Sequence, residues 1–175
     1  MSKTAALPDE PYFITMTIID WIDVFTRRIY FEFIIKNLKY CQTKKGLDIY
    51  EYVIMTNHLH MICMGNGIPL SDILRDFKSY TSKELVKLIK ENPKESRRKW
   101  MLNAFRRAGK KNPLNEMYQV WQNFNYPTLL DSSYLIDQKT EYIHMNPVVA
   151  GFVHEPYEYF YSSANPHGPL KTLYL

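Results

Sequence analysis

Cysteine is nearly missing: Cys41 and Cys63 are the only two in 175 residues. That excludes a disulfide framework and a cysteine-based zinc cluster, and it fits a reducing compartment. No apolar run approaches the length of a membrane span. The opening Met1-Ser-Lys-Thr-Ala-Ala-Leu-Pro lacks the apolar stretch of a signal peptide, so a cytoplasmic protein is expected. There is no P-loop, so no nucleotide cofactor is implied. His-Glu-x-x-His is absent, as is the aromatic motif Lys/Arg-Gly-Phe/Tyr-Gly/Ala-Phe-Val of RNA-binding sheets. Internal repeats and low-complexity stretches are absent too.

The residues present are those of a globular chain, with 46% hydrophobic and 15% aromatic content. The length suits one domain with a proper core, expected over residues 1–165, with 166–175 as a C-terminal tail. Net charge is only +4, but it is unevenly placed. Between Lys78 and Lys111 twelve Lys or Arg face three Glu, while the rest of the chain holds ten basic and fifteen acidic residues. The clusters Arg97-Arg98-Lys99-Trp100 and Arg106-Arg107-Ala-Gly-Lys110-Lys111 point to a phosphate-binding surface. Cations beside an aromatic suit a nucleic acid with accessible bases, though charge alone does not tell DNA from RNA. Lys83, Lys87 and Lys90 read as an ordinary solvated helix face.

The order of elements follows from periodicity. Residues 12–19 alternate, with Ile14, Met16 and Ile18 on one face and Thr15 and Thr17 on a polar, functional-looking one. Thr26 is positioned to cap a helix carrying Ile29, Phe33, Ile34, Leu38 and Cys41, ending near Gly46. A strand over Ile49–Met55 turns through Thr56-Asn57 into a second strand ending at Gly65-Asn-Gly67. Ser71 can cap a long helix with Leu74, Phe77, Thr81, Leu85 and Leu88, closed by Pro93. Residues 92–115 read as a mobile basic loop with a short helix around 100–107. Short extended segments at 117–122 and 126–130 precede a helix from about Ser133 to Met145, stopped by Pro147. From there the chain reads as an extended tail. Strand-helix-strand-strand-helix-strand is the order of a ferredoxin-like (split βαβ) α+β sandwich. Its antiparallel sheet should carry helices on one face and leave the other as a catalytic floor, with an active-site helix nearby.

Two constellations carry chemistry. On the strand through His58-Leu59-His60, alternate side chains share a face. His58 and His60 thus point one way, and Leu59, Met61 and Cys63 point into the core. Two residues of rise total roughly 6.6 Å, so the imidazoles can lean onto one divalent ion. A bare His-x-His is equally compatible with two histidines on a sheet surface. On the late helix, Tyr142 and Asn146 lie four apart and meet on one face. They supply a hydroxyl nucleophile and a carboxamide ligand, or else a core tyrosine with a capping Asn. His144 points elsewhere and reads as structural. Gln138, one turn before Tyr142, is a weaker candidate for touching nucleic acid.

Together these segments resemble the REP-associated tyrosine transposases, single-tyrosine members of the HUH (His-hydrophobe-His) endonucleases. The resemblance rests on Asn57-His-Leu-His60 and on Tyr142-Ile-His-Met-Asn-Pro-Val-Val-Ala-Gly-Phe-Val153. It extends to Tyr12-Phe-Ile-Thr-Met-Thr, to Leu70–Lys83, to Trp121-Gln122 and to Tyr159-Phe-Tyr-Ser-Ser-Ala164. Val149 stands where the family commonly has Arg, and Phe152 replaces a usual Leu. Asn146 takes the place of a usual Gln ligand in the related insertion-sequence transposases.

The resemblance implies a metal-dependent enzyme that nicks and joins single-stranded DNA hairpins of palindromic repeats through a 5′-phosphotyrosine. Tyr142 would be the nucleophile. His58, His60 and Asn146 would hold Mg²⁺ or Mn²⁺. Arg97, Arg98, Lys99, Arg106, Arg107, Lys110 and Lys111 would hold DNA. The phenol, with a free pKa of about 10, needs activation by the metal or a base. A monomer or homodimer at the nucleoid, without membrane contact, is expected. The alternative is a module that binds structured nucleic acid without cutting it.

Overall fold

Alternating burial in the first strand sets the layers. A computed structural model describes residues 8–112 and 117–175. In β1 (Tyr12–Thr17) the side chains of Ile14 and Met16 are fully buried in the main core, while Thr15 and Thr17 turn to the opposite face. Helix α1 (Arg28–Lys44) leads to β2 (Leu47–Ile54), and a tight turn leads to β3 (His58–Gly65). Then come α2 (Leu70–Glu91), α3 (Arg98–Lys111), the two-residue β4 (Thr128–Leu129) and α4 (Ser133–Val149). The sheet order is β2-β3-β1-β4, antiparallel throughout. This is the expected ferredoxin-like arrangement, with α1 and α2 on one face and α4 against the other.

Register depends on one irregularity. The β2–β3 pairing shifts between Ile49 and Glu51, so Ile49 and Tyr52, three apart, both reach the main core. The bulge changes the side-chain parity of β2 while β3 keeps a strict alternation. Leu59, Met61 and Cys63 are fully buried against the helices, as their spacing predicts. Phe13, Val53, Ile62 and Ile143 form a second core on the far face, which seats α4. Burying Ile143 completely contributes about 2 kcal/mol to that docking.

Several expectations are corrected. The mobile basic loop is instead the fourteen-residue helix α3, which buries Met101, Ala104, Phe105 and Gly109 in the helical layer. Its apolar positions do repeat at helical spacing, but the dense charge between them hides the pattern. The last part of that expected loop, 113–115, lies outside the described residues. A Cβ on Gly109 would lie 2.6 Å from the Met117 carbonyl oxygen, so only glycine admits this close approach. Pro147 does not stop α4; it sits buried inside the last helical turn. Proline removes one donor there, and the packed face outweighs that loss. The chain leaves the helix only at Gly151, whose φ is +75°.

Thr26 and Ser71 do not cap their helices, which start after Arg27 and Pro69 without a side-chain cap. Ile29 is exposed; Tyr30 and Phe31 are buried in its stead. The chain after 156 is not a loose extension. Ile54 N donates to Tyr161 O and Ser163 N to Tyr52 O, both at 2.9 Å, and Leu173 N reaches Ile49 O. Leu170 is buried. Residues 161–173 thus cover the outer edge of β2, which would otherwise present unpaired backbone groups.

Beneath α3 lies a buried carboxylate with two cations. The Glu95 side chain is fully buried and accepts from Arg27 Nε at 2.9 Å and from Arg97 Nε at 3.1 Å. Tyr30 Oη also donates to it. Burial pushes this carboxyl up, but the hydrogen bonds from Arg27 and Arg97 outweigh that and bring it down to about 2. Because the folded value lies below the ordinary one, Glu95 stabilises the fold above the ordinary carboxylate range. That contribution fades as pH falls from 4.5 toward 2. Glu95→Gln should therefore show a flatter acid limb in urea unfolding over that window. At neutral pH it should be destabilised by about 3 kcal/mol. Equal acid limbs in the two proteins would exclude this role.

Candidate active site

The strand parity of β3 puts His58 and His60 on the face away from α1 and α2. Their rings lie 4.8 Å apart between centroids at 69°. In the β1–β3 register Thr15 stands opposite His60 and Thr17 opposite His58. Thr15 Oγ1 meets His60 Nδ1 at 2.8 Å. Phe13, one step further along the same face of β1, stacks on the His60 ring at 5.4 Å and 19°. The polar face of β1 was legible in the sequence, and these are the contacts it makes.

His58 is oriented from the turn before it. Asn57 Nδ2 donates to Asp23 Oδ1 at 2.9 Å and to the Trp21 carbonyl at 3.2 Å. Both partners are acceptors, so the amide nitrogen must face them and Oδ1 must face His58 Nδ1, 2.7 Å away. An amide oxygen only accepts, so His58 carries its proton on Nδ1 and leaves Nε2 with its lone pair. Thr56 Oγ1 donates to the same Asp23 oxygen at 2.6 Å. Asn57 thus does more than shape the turn. Sequence reading had no means of pairing it with Asp23, 34 residues earlier.

Helix α4 brings the other half. Ser132 Oγ accepts from Leu135 N and caps its start. Tyr142, 48% exposed, places its hydroxyl 3.5 Å from His60 Nε2. Its ring meets Phe13 edge-on at 5.9 Å. Four residues later, Asn146 lies near enough to His58 to hold its imidazole up against the effect of burial. Tyr142, His58, His60 and Asn146 are thus brought near one another on this face of the sheet.

Lys139, one turn before Tyr142, holds Nζ 4.9 Å from the Phe13 ring centre and 5.8 Å from that of Tyr142. It was missed from sequence, though its i−3 position was the available signal. Gln138 is exposed on the same helix. His144 faces away: its Nε2 donates to Glu51 Oε2 at 2.7 Å, and Ser163 Oγ donates to the same oxygen at 2.5 Å. It ties α4 to β2 and the C-terminal segment, a structural role.

Burial lowers both imidazoles. His60 is 5% exposed, and burial, the neighbouring His58 and Lys139 bring it down to about 3. His58 is lowered by burial, partly offset by the neighbouring Asn146 side chain and by the Asp23 charge. Neutral imidazoles are the ligating form. Nδ1 of each ring is engaged by Asn57 or Thr15, and Nε2 of His60 faces the Tyr142 hydroxyl. Two imidazoles and a carboxamide are donors that a borderline divalent ion accepts. Among the described residues no three His, Cys, Asp or Glu gather as a metal group.

Two comparisons bear on this geometry. The family model for the IS200-like transposases matches residues 12–107, more than half of the chain. The chain belongs to the IS200-like transposase family. The matched residues of this family member include the His58–His60 strand but not α4. In fold it is similar to a REP-associated tyrosine transposase bound to a REP hairpin, with a TM-score of 0.62 and 15% identity. The likeness covers 93% of this chain and 81% of that one. No curated protein was matched.

The cationic residues are spread over different surroundings. Arg97 is committed to the fold: beside its bond to Glu95 it donates to the Asp23 carbonyl at 2.7 Å and to Thr26 Oγ1 at 2.8 Å. Arg98 donates to the Lys90 carbonyl. Lys99, Arg106, Arg107, Lys110 and Lys111 are exposed along α3. Arg106 donates to Tyr118 Oη at 3.0 Å, and Lys90 lies over the same ring at 4.8 Å. Tyr118 is one wall of an open groove of 760 Å³ between α2 and residues 117–125, lined also by Arg75, Lys78, Lys83 and Lys90. Lys78 donates to the Gln122 carbonyl and to Asn125 Oδ1, latching that segment onto α2. Sequence reading passed over this groove because its cations come from a helix face that looks merely solvated. Among the described residues no helix is long and apolar enough to cross a membrane.

Proposed function

We propose that this protein nicks and rejoins single-stranded DNA at the foot of hairpins formed by palindromic repeats, with Tyr142 as nucleophile. The observation carrying the reading is the Tyr142 hydroxyl at 3.5 Å from His60 Nε2, on an open sheet face shared with His58 and Asn146. A phenol oxygen beside two ligand-ready imidazoles is what phosphodiester transfer needs: a nucleophile and a site for charge relief.

Tyr142 Oη attacks the phosphorus, the P–O3′ bond breaks, and the departing O3′ takes a proton from solvent, so that the leaving strand ends in a 3′-hydroxyl. The phenol proton goes to solvent, to which the residue is open. Lys139 places a positive charge near the forming phenolate. His58, His60 and Asn146 would hold a Mg²⁺ or Mn²⁺ ion, which when bound supplies polarisation of a non-bridging phosphate oxygen. Asn57 and Thr15 keep both rings aimed. The ester energy is retained in the tyrosyl phosphodiester, so a 3′-hydroxyl can reverse the step. Such a substrate would place the protein at the nucleoid.

The test is covalent capture of hairpin oligonucleotides drawn from the palindromes flanking the gene. A 3′-labelled strand should migrate with the protein on a denaturing gel. A 5′-labelled strand should yield a free, shortened fragment. Binding without any adduct in Mg²⁺ or Mn²⁺ would leave only a hairpin-binding module.

We place the DNA stem on α3 and the adjoining groove. Arg106, Arg107, Lys110 and Lys111 changed together to Ala should weaken binding broadly. They should reduce the slope of log affinity against log salt by up to about 3. Arg97 stays intact in this variant because it holds Glu95. An unchanged salt slope would show that α3 is only a solvated surface.

A further inference from the structure

Trp21 stands at the edge of the catalytic face, and the mechanism above gives it no task. Trp21 is 59% exposed. It lies edge-on to His58, with ring centres 5.7 Å apart at 72°. The backbone there is strained. Asp20 and Trp21 both have φ of +53°, the left-handed region that a bulky residue rarely enters. Two such residues in sequence persist only where the surroundings hold them.

The surroundings do hold them. Ile19 N donates to the Val120 carbonyl at 2.8 Å, and Ile18 bridges Trp121. The Trp21 carbonyl accepts from Asn57 Nδ2, the same amide that orients His58. Arg107 lies 3.7 Å from the Asp20 carboxylate. The fold therefore bends the chain unfavourably to fix an indole beside the histidine pair, and leaves much of the ring in water. If Trp21 served only packing, the core it adjoins would bury it.

We propose that Trp21 is a stacking platform for one unpaired nucleobase next to the scissile phosphate. The inference rests on the single-strand reading given above. An exposed indole offers its π-face to any base, so it contributes affinity with little sequence preference. Its fixed position beside His58 would set which nucleotide brings its phosphate under Tyr142. Arg107, paired to Asp20, joins the platform to the cationic face of α3.

The experiment compares two DNA probes by fluorescence anisotropy in EDTA, where binding is read without cleavage. One is a hairpin with a short unpaired foot of mixed sequence; the other is the same hairpin with a blunt end. Trp21→Ala should weaken the footed probe about tenfold or more and leave the blunt one within about twofold. Trp21→Phe should recover most of the loss. Removing foot bases one at a time as abasic sites should reveal one position whose loss makes wild type and Trp21→Ala equal. Unchanged Tm in Trp21→Ala is expected, since the structural contact here is made by the carbonyl. Equal weakening on both probes, or no such abasic position, would overturn the platform. A wild type that does not prefer the footed probe would overturn the single-strand reading itself. A preference that survives Trp21→Ala would overturn only the role of Trp21.

Discussion

Tyr142→Phe is expected to abolish covalent capture of DNA. The rate should fall by on the order of four decades or more, as when a nucleophile is deleted from an active site. The change removes one oxygen and keeps the ring that meets Phe13 edge-on. Tyr142 is half-exposed, so stability should move by no more than about 0.5 kcal/mol. Hairpin affinity should stay near that of wild type. The pairing of intact binding with absent adduct distinguishes lost chemistry from lost folding. If the Phe variant still forms the adduct at the wild-type rate, another phenol is the nucleophile. Tyr134 would be tested next, because it lies two turns earlier on α4 and is well exposed.

The histidine variants should have effects of similar size by a different route. His58→Ala and His60→Ala should each lose cleavage, and EDTA should reproduce the loss in wild type. Mn²⁺ uptake, followed by electron paramagnetic resonance, gives a readout independent of activity. It should weaken at least about tenfold in either variant, comparable to disturbing a ligand shell. Asn146→Ala should weaken metal dependence without removing it, since a neutral amide is a poorer donor than imidazole. Full activity in chelator would sink the metal role and leave Tyr142 to act by other means. His60→Ala needs a stability control, because it also removes the Thr15 contact and the stacking partner of Phe13.

Blunt duplex DNA should be a poor substrate under the same conditions. The site is an open sheet face with Tyr142 above it, and it needs unpaired bases and a free backbone. Efficient cutting of blunt duplex would count against the single-strand mechanism even with Tyr142 established as catalytic.

Local periodicity was enough to determine a good part of this molecule. A strand repeats every two residues and a helix every 3.6, so the shared face of His58 and His60 and that of Tyr142 and Asn146 are properties of spacing alone. The order of strands and helices, α3 excepted, followed from the same signals, and with it the ferredoxin-like sheet. Tertiary structure decided what spacing cannot encode. Tyr142 meets His60 across 82 residues only because Ile143 seats α4 on the far face of the sheet. Asp23 fixes the amide of Asn57, and through it the proton of His58, from a loop 34 residues away. Pro147 stays helical and α3 is a helix because packed faces outweigh local preference. Arg97, indistinguishable in sequence from its basic neighbours, is taken by a buried carboxylate two residues earlier that no local pattern marks as buried. Charge and period are written residue by residue. Burial and pairing depend on which distant segment arrives, and only the folded chain decides that.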